Sequence, residues 1–165
     1  QVSAHRPAEQ GGSPVPPVAA RHGLQGLAIR PYREQDREAV VALWRECGLL
    51  RPWNDPYKDI ARKLTVQREL FLVGECEGVI CASVMAGYDG HRGWMNYLSV
   101  SAGHRRLRIG QTLVGEVERL LLDLGCPKVN LQVRSENTEV LAFYARLGYG
   151  ADAAVSLGKR LIPDD

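Results

Sequence analysis

The sequence predicts an α+β domain of the three-layer α/β/α type, with a mixed, mostly antiparallel sheet and helices on its faces. Three β-rich runs follow one another over residues 69–76, 79–86 and 94–100, and the short turns between them indicate consecutive antiparallel strands. A long stretch with helical apolar spacing comes next, followed by a strand, a helix and a last β-rich run. This order differs from the regular alternation of strand and helix that is typical of a doubly wound parallel sheet.

The first half of the domain begins with a strand over residues 27–31. The helix after it is predicted by four residues at positions i, i+3, i+4 and i+7, namely Val40, Leu43, Trp44 and Cys47. Gly48 ends this helix, and we expect Trp44 to lie in the core. An Asp followed by a Pro marks a helix start, so the second helix begins at Asp55 and Pro56.

The second half contains a long helix whose apolar positions repeat at helical spacing from Ile109 and which stops at Gly125. Alternating apolar residues predict a strand over residues 129–133. Another helix follows and is closed by Gly148, which is suited to a left-handed cap. Residues 155–162 are predicted to add a final strand.

Composition limits the classes of protein to be considered. The chain has 165 residues, 45% apolar residues and a formal net charge of +2. We expect one domain over residues 27–165 and a flexible extension over residues 1–26, which contain four prolines and four glycines. No apolar run approaches the roughly 18 residues of a membrane span, and the near-zero net charge argues against a nucleic-acid partner.

The cysteines do not form a recognisable motif. Cys47, Cys76, Cys81 and Cys126 lie far apart without C-x-x-C spacing, and the four histidines do not cluster with them. We therefore predict neither a metal site nor a disulfide framework. A reducing, cytoplasmic setting fits this pattern best.

A basic loop before the long helix is the strongest candidate for a binding site. It carries His104, Arg105, Arg106 and Arg108 between a predicted strand and a helix N-terminus, where free backbone N–H groups and the helix dipole favour an anion. The P-loop and G-x-G-x-x-G patterns are absent, so phosphate would be bound by the helix end and the arginines alone. Such a site suits a pyrophosphate. The alternative is a basic loop that is merely solvated.

A second candidate is the proline-containing loop before the second helix. Arg51, Trp53, Asn54 and Asp55 combine a cation, a large ring and polar groups, which is a reasonable lining for a substrate pocket. A capped loop with a packed Trp explains the same residues equally well.

The motifs resemble those of the GCN5-related N-acetyltransferases (GNAT). An R-x-x-x-x-G loop lies between a strand and a helix, and N-x-x-x-x-x-x-Y-x-x-x-G-Y spans residues 137–149. The resemblance covers the chain from Leu27 to its C-terminus. It implies a GNAT-like sheet with a splayed central strand pair, and direct transfer of an acetyl group from acetyl-CoA to a primary amine without a metal.

The resemblance also implies which residues bind the cofactor. The family signature [QR]-x-x-G-x-[GA], which wraps the pyrophosphate, falls on Arg105, Arg106, Leu107, Arg108, Ile109 and Gly110, with Gln111 following. The pantetheine arm would lie along the backbone of Leu98, Ser99 and Val100. Arg108 departs from the family pattern, because it stands at the central glycine. Its guanidinium would either pair with phosphate or weaken cofactor binding through its bulk and restricted backbone.

For catalysis, the resemblance assigns Asn137 to the pantetheine arm and places the Tyr144 hydroxyl near the sulfur, as general acid. The alternative for Tyr144 is core packing only, because it lies in an apolar helical stripe. The signature strand lacks the carboxylate that serves many family members as the base. The candidates for the base are Asp55, Glu75, Asp89 and His91, and our choice among them is Glu75. For Asp89 and His91, a turn held by the Asp side chain is the more economical explanation.

Two other functions fit parts of this pattern. A non-catalytic acyl-CoA-binding regulatory module would explain Arg108 and the missing strand carboxylate. A nucleic-acid-binding domain would explain the arginines but not the net charge. The acceptor, a small-molecule or protein amine, is not specified by the sequence, and neither is the oligomeric state, for which a homodimer is one option.

Overall fold

The computed structural model describes residues 20–21, 26–105 and 108–165. Its sheet has six strands that lie side by side in chain order. All neighbouring strands are antiparallel except β5 and β6, which are parallel. The strands are β1 (Ala20–Arg21), β2 (Leu27–Pro31), β3 (Phe71–Cys76), β4 (Val79–Tyr88), β5 (Gly93–Val100) and β6 (Val129–Leu131).

Four α-helices cover the two faces of the sheet: α1 (Arg37–Glu46), α2 (Pro56–Lys63), α3 (Ile109–Asp123) and α4 (Thr138–Arg146). One apolar cluster joins α1 and α2 to one face through residues such as Val40, Ile60 and Phe71. A larger cluster joins α3 and α4 to the other face through residues such as Leu113 and Tyr144. The α+β class with three layers is therefore confirmed. None of the helices among the described residues is long and apolar enough to cross a lipid bilayer.

Trp44 lies fully in the core, as the sequence predicts. Its indole Nε1–H donates to Ser83 Oγ at 2.9 Å, and the Ser83 hydroxyl is 2.8 Å from that of Ser99. Its ring stacks on Tyr97 with the two centroids 4.0 Å apart. Because a buried polar atom without a partner is costly, this chain of hydrogen bonds fixes α1 against β4 and β5.

An ion-pair cluster joins β2, β3 and the short helix before α1. The Arg30 guanidinium donates to both carboxylate oxygens of Asp36, at 2.7 and 2.9 Å, and also to Glu75 on β3. Arg30 and Asp36 have side chains only 9% and 5% exposed. Burial alone would raise the pKa of Asp36, but the Arg30 guanidinium and the Arg33 backbone N–H lower it, and the net direction is downward.

The largest error of the sequence prediction is the final strand. Residues 155–162 form no strand and are exposed; Val155 and Leu157 are 86% and 91% accessible. Two ion pairs near the ends of this segment, between Lys128 and Asp152 and between Arg62 and Asp164, attach it to the rest of the domain. They take the place of the backbone hydrogen bonds of a strand. The apolar alternation therefore predicted a strand, but among the described residues no strand pairs with this segment.

Smaller differences concern the ends of elements. β3 begins at Phe71 because Arg68–Leu70 form a 3-10 turn, and β4 continues to Tyr88. Within the stretch of residues 1–26 that is predicted as an extension, Ala20–Arg21 pair with β2; residues 1–19 and 22–25 lie outside the described residues.

Candidate active site

An opening in the sheet lies between β5 and β6. The two strands pair only from Gly93 with Val129 to Met95 with Leu131. Beyond Met95, in the part of the chain that the structure describes, β5 continues through residues 96–100 without a partner on that side. Unpaired strand backbone offers hydrogen-bonding groups to a ligand, so this edge can bind an extended polar chain.

Three segments that the sequence singles out meet at Gly110. A Cβ atom built on this residue would lie 3.3 Å from Phe143 Cζ and 3.5 Å from Val100 Cγ2. The N-terminus of α3, the end of β5 and helix α4 are therefore in direct contact. The N-terminus of α3, where an anion is favoured, and the free edge of β5 therefore form one continuous surface.

Arg108 occupies a backbone conformation that favours glycine. It precedes α3 as its N-cap with φ +57° and ψ +22°, in the left-handed region. A residue with a Cβ atom is strained there by roughly 1 kcal/mol, whereas glycine adopts this region freely. The conformation expected for the motif glycine is therefore kept although the glycine is absent.

The rest of the basic loop is tied to neighbouring elements. Arg105 Nε donates to the Val100 carbonyl oxygen at 3.2 Å, and His104 Nδ1 lies 2.6 Å from Ser101 Oγ. Arg106 and Leu107 lie outside the described residues. Ile109 is buried, and Gln111 is exposed on the first turn of α3.

A β-bulge interrupts β5 next to this opening. Asn96 pairs with Met85 and Ser99 with Ser83, so two residues of β5 oppose one residue of β4. Tyr97, in the bulge, has φ +55°, which is uncommon for a residue other than glycine. The bulge turns the Tyr97 ring toward α1 and α2, where its hydroxyl donates to Asp59 Oδ2 at 2.6 Å.

A pocket of about 430 Å³, which we call the acceptor pocket, lies on the α1 and α2 side of this bulge. Its lining combines two apolar side chains with four polar residues: Leu49, Met85, Asn54, Asp59, Asn96 and Tyr97. Asp59, on α2, provides the only carboxylate among these lining residues. The sequence analysis missed Asp59, because only the packing of α2 against β5 brings it beside Tyr97.

The loop before α2 contributes part of the predicted substrate residues. Asn54 lines the acceptor pocket, and it also lines an adjacent pocket of about 570 Å³ together with Arg51 and Asp55. Trp53 is 53% exposed and lines neither pocket. Asp55 Oδ1 accepts hydrogen bonds from the backbone N–H groups of Tyr57 and Lys58, so this residue is also the N-cap of α2.

Tyr144 lies in α4, next to Phe143 in the chain, and belongs to the larger apolar cluster. It is 7% exposed and packs edge-on against Phe143 and Tyr149. Burial raises the pKa of its phenol to about 12, so the hydroxyl is protonated at neutral pH. Within the described part of the chain this hydroxyl has no hydrogen-bond partner, and it is available to a ligand.

Two other sequence candidates have clear local roles. Asn137 caps α4 by accepting a hydrogen bond from the Val140 N–H at 3.3 Å. Asp89 Oδ1 accepts from the N–H groups of His91 and Arg92 at 2.8 and 2.7 Å, which confirms the turn interpretation for that pair. These hydrogen bonds lower the pKa of Asp89.

The structure does not bring Glu75 to the acceptor pocket. Its carboxylate is bound by Arg30, and it lies four residues along β3 from Phe71, which pairs with Met85 at the pocket. At about 3.3 Å per residue this is a separation of roughly 13 Å.

The described residues contain no group of three or more His, Cys, Asp or Glu side chains arranged to hold a metal ion, and the four cysteines have free thiols.

Comparison with known proteins gives one consistent result. The model of the acetyltransferase (GNAT) family matches residues 29–149. The chain is 49% identical over 138 residues to an acetyltransferase of Pectobacterium atrosepticum, covering 84% of this chain and 98% of that protein. It is 48% identical over 139 residues to an acetyltransferase of Sodalis glossinidius, with the same coverage of both chains.

Solved structures share the fold at lower sequence identity. AAC(6')-Iy, in complex with the bisubstrate analogue CoA-S-monomethyl-acetylneamine, superposes with a TM-score of 0.67 at 18% identity, covering 81% of this chain and 98% of that chain. Ard1 from Thermoplasma volcanium superposes with a TM-score of 0.67 at 20% identity, covering 78% and 85% of the two chains.

Proposed function

Because the chain belongs to the acetyltransferase (GNAT) family and is an N-acetyltransferase, we propose that it moves the acetyl group of acetyl-CoA directly to a primary amine held in the acceptor pocket. The contact of α3, β5 and α4 at Gly110 carries this proposal. It joins the N-terminus of α3, the free edge of β5 and helix α4, which carries Tyr144, in one surface. Acetyl-CoA has three parts that match these features in the same order: a nucleoside diphosphate, a long polar arm and a thioester.

The donor would lie with its pyrophosphate at the N-terminus of α3, beside Arg105 and Arg108. Its pantetheine arm would follow the free edge of β5 at Leu98, Ser99 and Val100, with Asn137 at the opposite side. Backbone N–H groups near the bulge would then stabilise the oxyanion of the tetrahedral intermediate. The AAC(6')-Iy complex, which contains a CoA analogue, supports this use of the fold.

The acceptor would approach from the opposite side of β5, through the acceptor pocket. A free lysine-like amine has a pKa of about 10.4, so presenting it neutral near pH 7 costs roughly 4 to 5 kcal/mol. We propose that Asp59 binds the entering ammonium and passes its proton to the solvent. The neutral amine would then attack the thioester carbon and release its second proton to the solvent, while the C–S bond breaks and CoA leaves as a thiolate that Tyr144 stabilises. The free thiols of the four cysteines support a reducing, cytoplasmic setting for this reaction.

Replacing Arg108 with Gly is expected to raise the free energy of unfolding by about 0.5 kcal/mol. Removing the left-handed strain contributes roughly 1 kcal/mol, and the greater freedom of glycine in the unfolded chain offsets part of it. CoA binding is expected to weaken a few-fold because one cation beside the pyrophosphate is lost. Urea unfolding and calorimetry with CoA measure the two effects.

Arg108→Ala is the matched control, because it removes the same charge and keeps the Cβ atom at φ +57°. It should weaken CoA binding to the same extent without the gain in stability. Much tighter CoA binding by the glycine variant than by the wild type would contradict the role of Arg108 as a phosphate partner.

The proposed function is tested by CoA release from acetyl-CoA with a panel of n-butylamine, 1,4-diaminobutane and a lysine-containing tetrapeptide. We expect amine-dependent release of CoA and the acetylated amine in the mass spectrum, together with an increase in Tm when CoA is added. Absence of turnover with every amine and of any Tm change with CoA would refute it.

A further inference from the structure

We infer that Asp164, the residue before the C-terminus, positions the acceptor pocket by ordering two arginines, each of which holds one polar side chain of its lining. The inference rests on the proposed function, because it takes this pocket to be where the amine binds. Asp164 belongs to the exposed segment of residues 151–165, which we call the C-terminal arm.

The side chain of Asp164 is well buried, since it is only 3% exposed. Its carboxylate accepts hydrogen bonds from Arg62 Nη2 at 2.6 Å and from the Asp55 backbone N–H at 2.8 Å. Arg160 Nη1 lies 3.7 Å from the same carboxylate. The Arg62 guanidinium, followed by the Asp55 N–H, lowers the pKa of Asp164 to about 2. Asp164 is therefore ionised wherever the protein is folded near neutral pH.

Each of the two arginines reaches one residue of the acceptor pocket. Arg62 Nη1 donates to Asp59 Oδ1 at 3.2 Å, and Arg160 Nη2 donates to Asn54 Oδ1. Asp59 and Asn54 both line the pocket. One carboxylate thus connects both side chains, through a charge-assisted hydrogen bond from Arg62 and an ion pair with Arg160 at 3.7 Å.

Loss of this carboxylate should disorder the pocket wall without affecting the core. Two guanidinium groups would remain close together without their common counterion, and like charges destabilise each other. The loop N–H of Asp55 would lose its charged acceptor as well. The middle of the C-terminal arm cannot compensate, because Val155 and Leu157 are almost fully exposed.

The test is Asp164→Asn, which keeps the shape of the side chain and removes its charge. Hydrogen exchange of the segment that contains the Asp55 amide is expected to accelerate at least tenfold. With the amine of the panel that turns over fastest, KM for the amine is expected to rise at least tenfold, while KM for acetyl-CoA stays within twofold. Asp152→Asn is the matched control, because it removes the other ion pair of the arm, to Lys128 at 2.9 Å, away from the pocket.

The outcomes separate this inference from the proposed function. Unchanged exchange at Asp55, an unchanged KM for the amine, or an equal effect of Asp152→Asn would overturn the role of Asp164. A wild-type protein without turnover and without any Tm change with CoA would refute the proposed function, and the exchange of the Asp55 amide would still decide whether Asp164 holds the loop. If Asp164→Asn does not fold, Arg160→Gln cuts only the branch to Asn54, and the inference then requires a higher KM for the amine.

Discussion

Replacing Tyr144 with Phe is expected to lower kcat about 100-fold while the affinity for CoA changes by less than a factor of three. Removing one positioned hydrogen-bond donor from a developing anion typically lowers kcat by a factor of about 100 to 1,000. The phenol has a pKa of about 12, so it is a weaker acid than a thiol, whose pKa is about 8.5. We therefore expect Tyr144 to stabilise the leaving thiolate by donating a hydrogen bond, and the thiolate to take its proton from the solvent later.

The packing of the ring makes this variant a clean test. Phe keeps the edge-on contacts with Phe143 and Tyr149, whose ring centroids lie 5.1 and 5.5 Å from that of Tyr144. Tyr149→Phe is the matched control; it removes a hydroxyl that donates to Glu118 at 3.1 Å on the surface. Single-turnover kinetics with acetyl-CoA measure both variants. A kcat within threefold of the wild type in Tyr144→Phe would leave Tyr144 with a packing role only.

Replacing Asp36 with Ala is expected to lower the free energy of unfolding by about 3 kcal/mol. Breaking a buried ion pair typically costs 3 to 5 kcal/mol, because the remaining charge stays buried without its partner. Glu75 still binds Arg30 in this variant, so the lower end of that range is expected. Urea unfolding followed by tryptophan fluorescence measures the change, and Glu75→Ala, at a side chain 30% exposed, should cost clearly less.

The same ion pair predicts how stability depends on pH. The pKa of Asp36 is lower in the folded protein than its ordinary value of 3.8. Its stabilisation is therefore complete above pH 3.8 and is lost as the pH falls through the lowered folded value. The wild type should lose stability more steeply than Asp36→Ala in this acidic range. Equal slopes for the two proteins would contradict a charged, paired Asp36.

The sequence predicted those features that depend on short segments. Helical spacing identified Trp44 as a core residue. Gly48 and Gly148 also follow the ends of their helices as expected, with φ +69° and +90°, and the second is the left-handed cap that the sequence predicts. In each case the physical cause lies within a few residues of the pattern itself.

Features that depend on long-range packing were missed. Asp59 enters the site because α2 packs against a bulge in β5 that is 38 residues further along the chain. Asp164 reaches the loop before α2 from 109 residues away. Glu75 sits on the predicted strand, yet its position along β3 and its pairing with Arg30 remove it from the pocket. A local pattern carries no information about such contacts.

A crystal structure of the protein with CoA tests the central claim most directly. The account predicts the pyrophosphate at the N-terminus of α3, the pantetheine arm along residues 98–100 of β5, and the thiol within hydrogen-bond distance of the Tyr144 hydroxyl. CoA bound elsewhere, or a thiol out of reach of Tyr144, would contradict it.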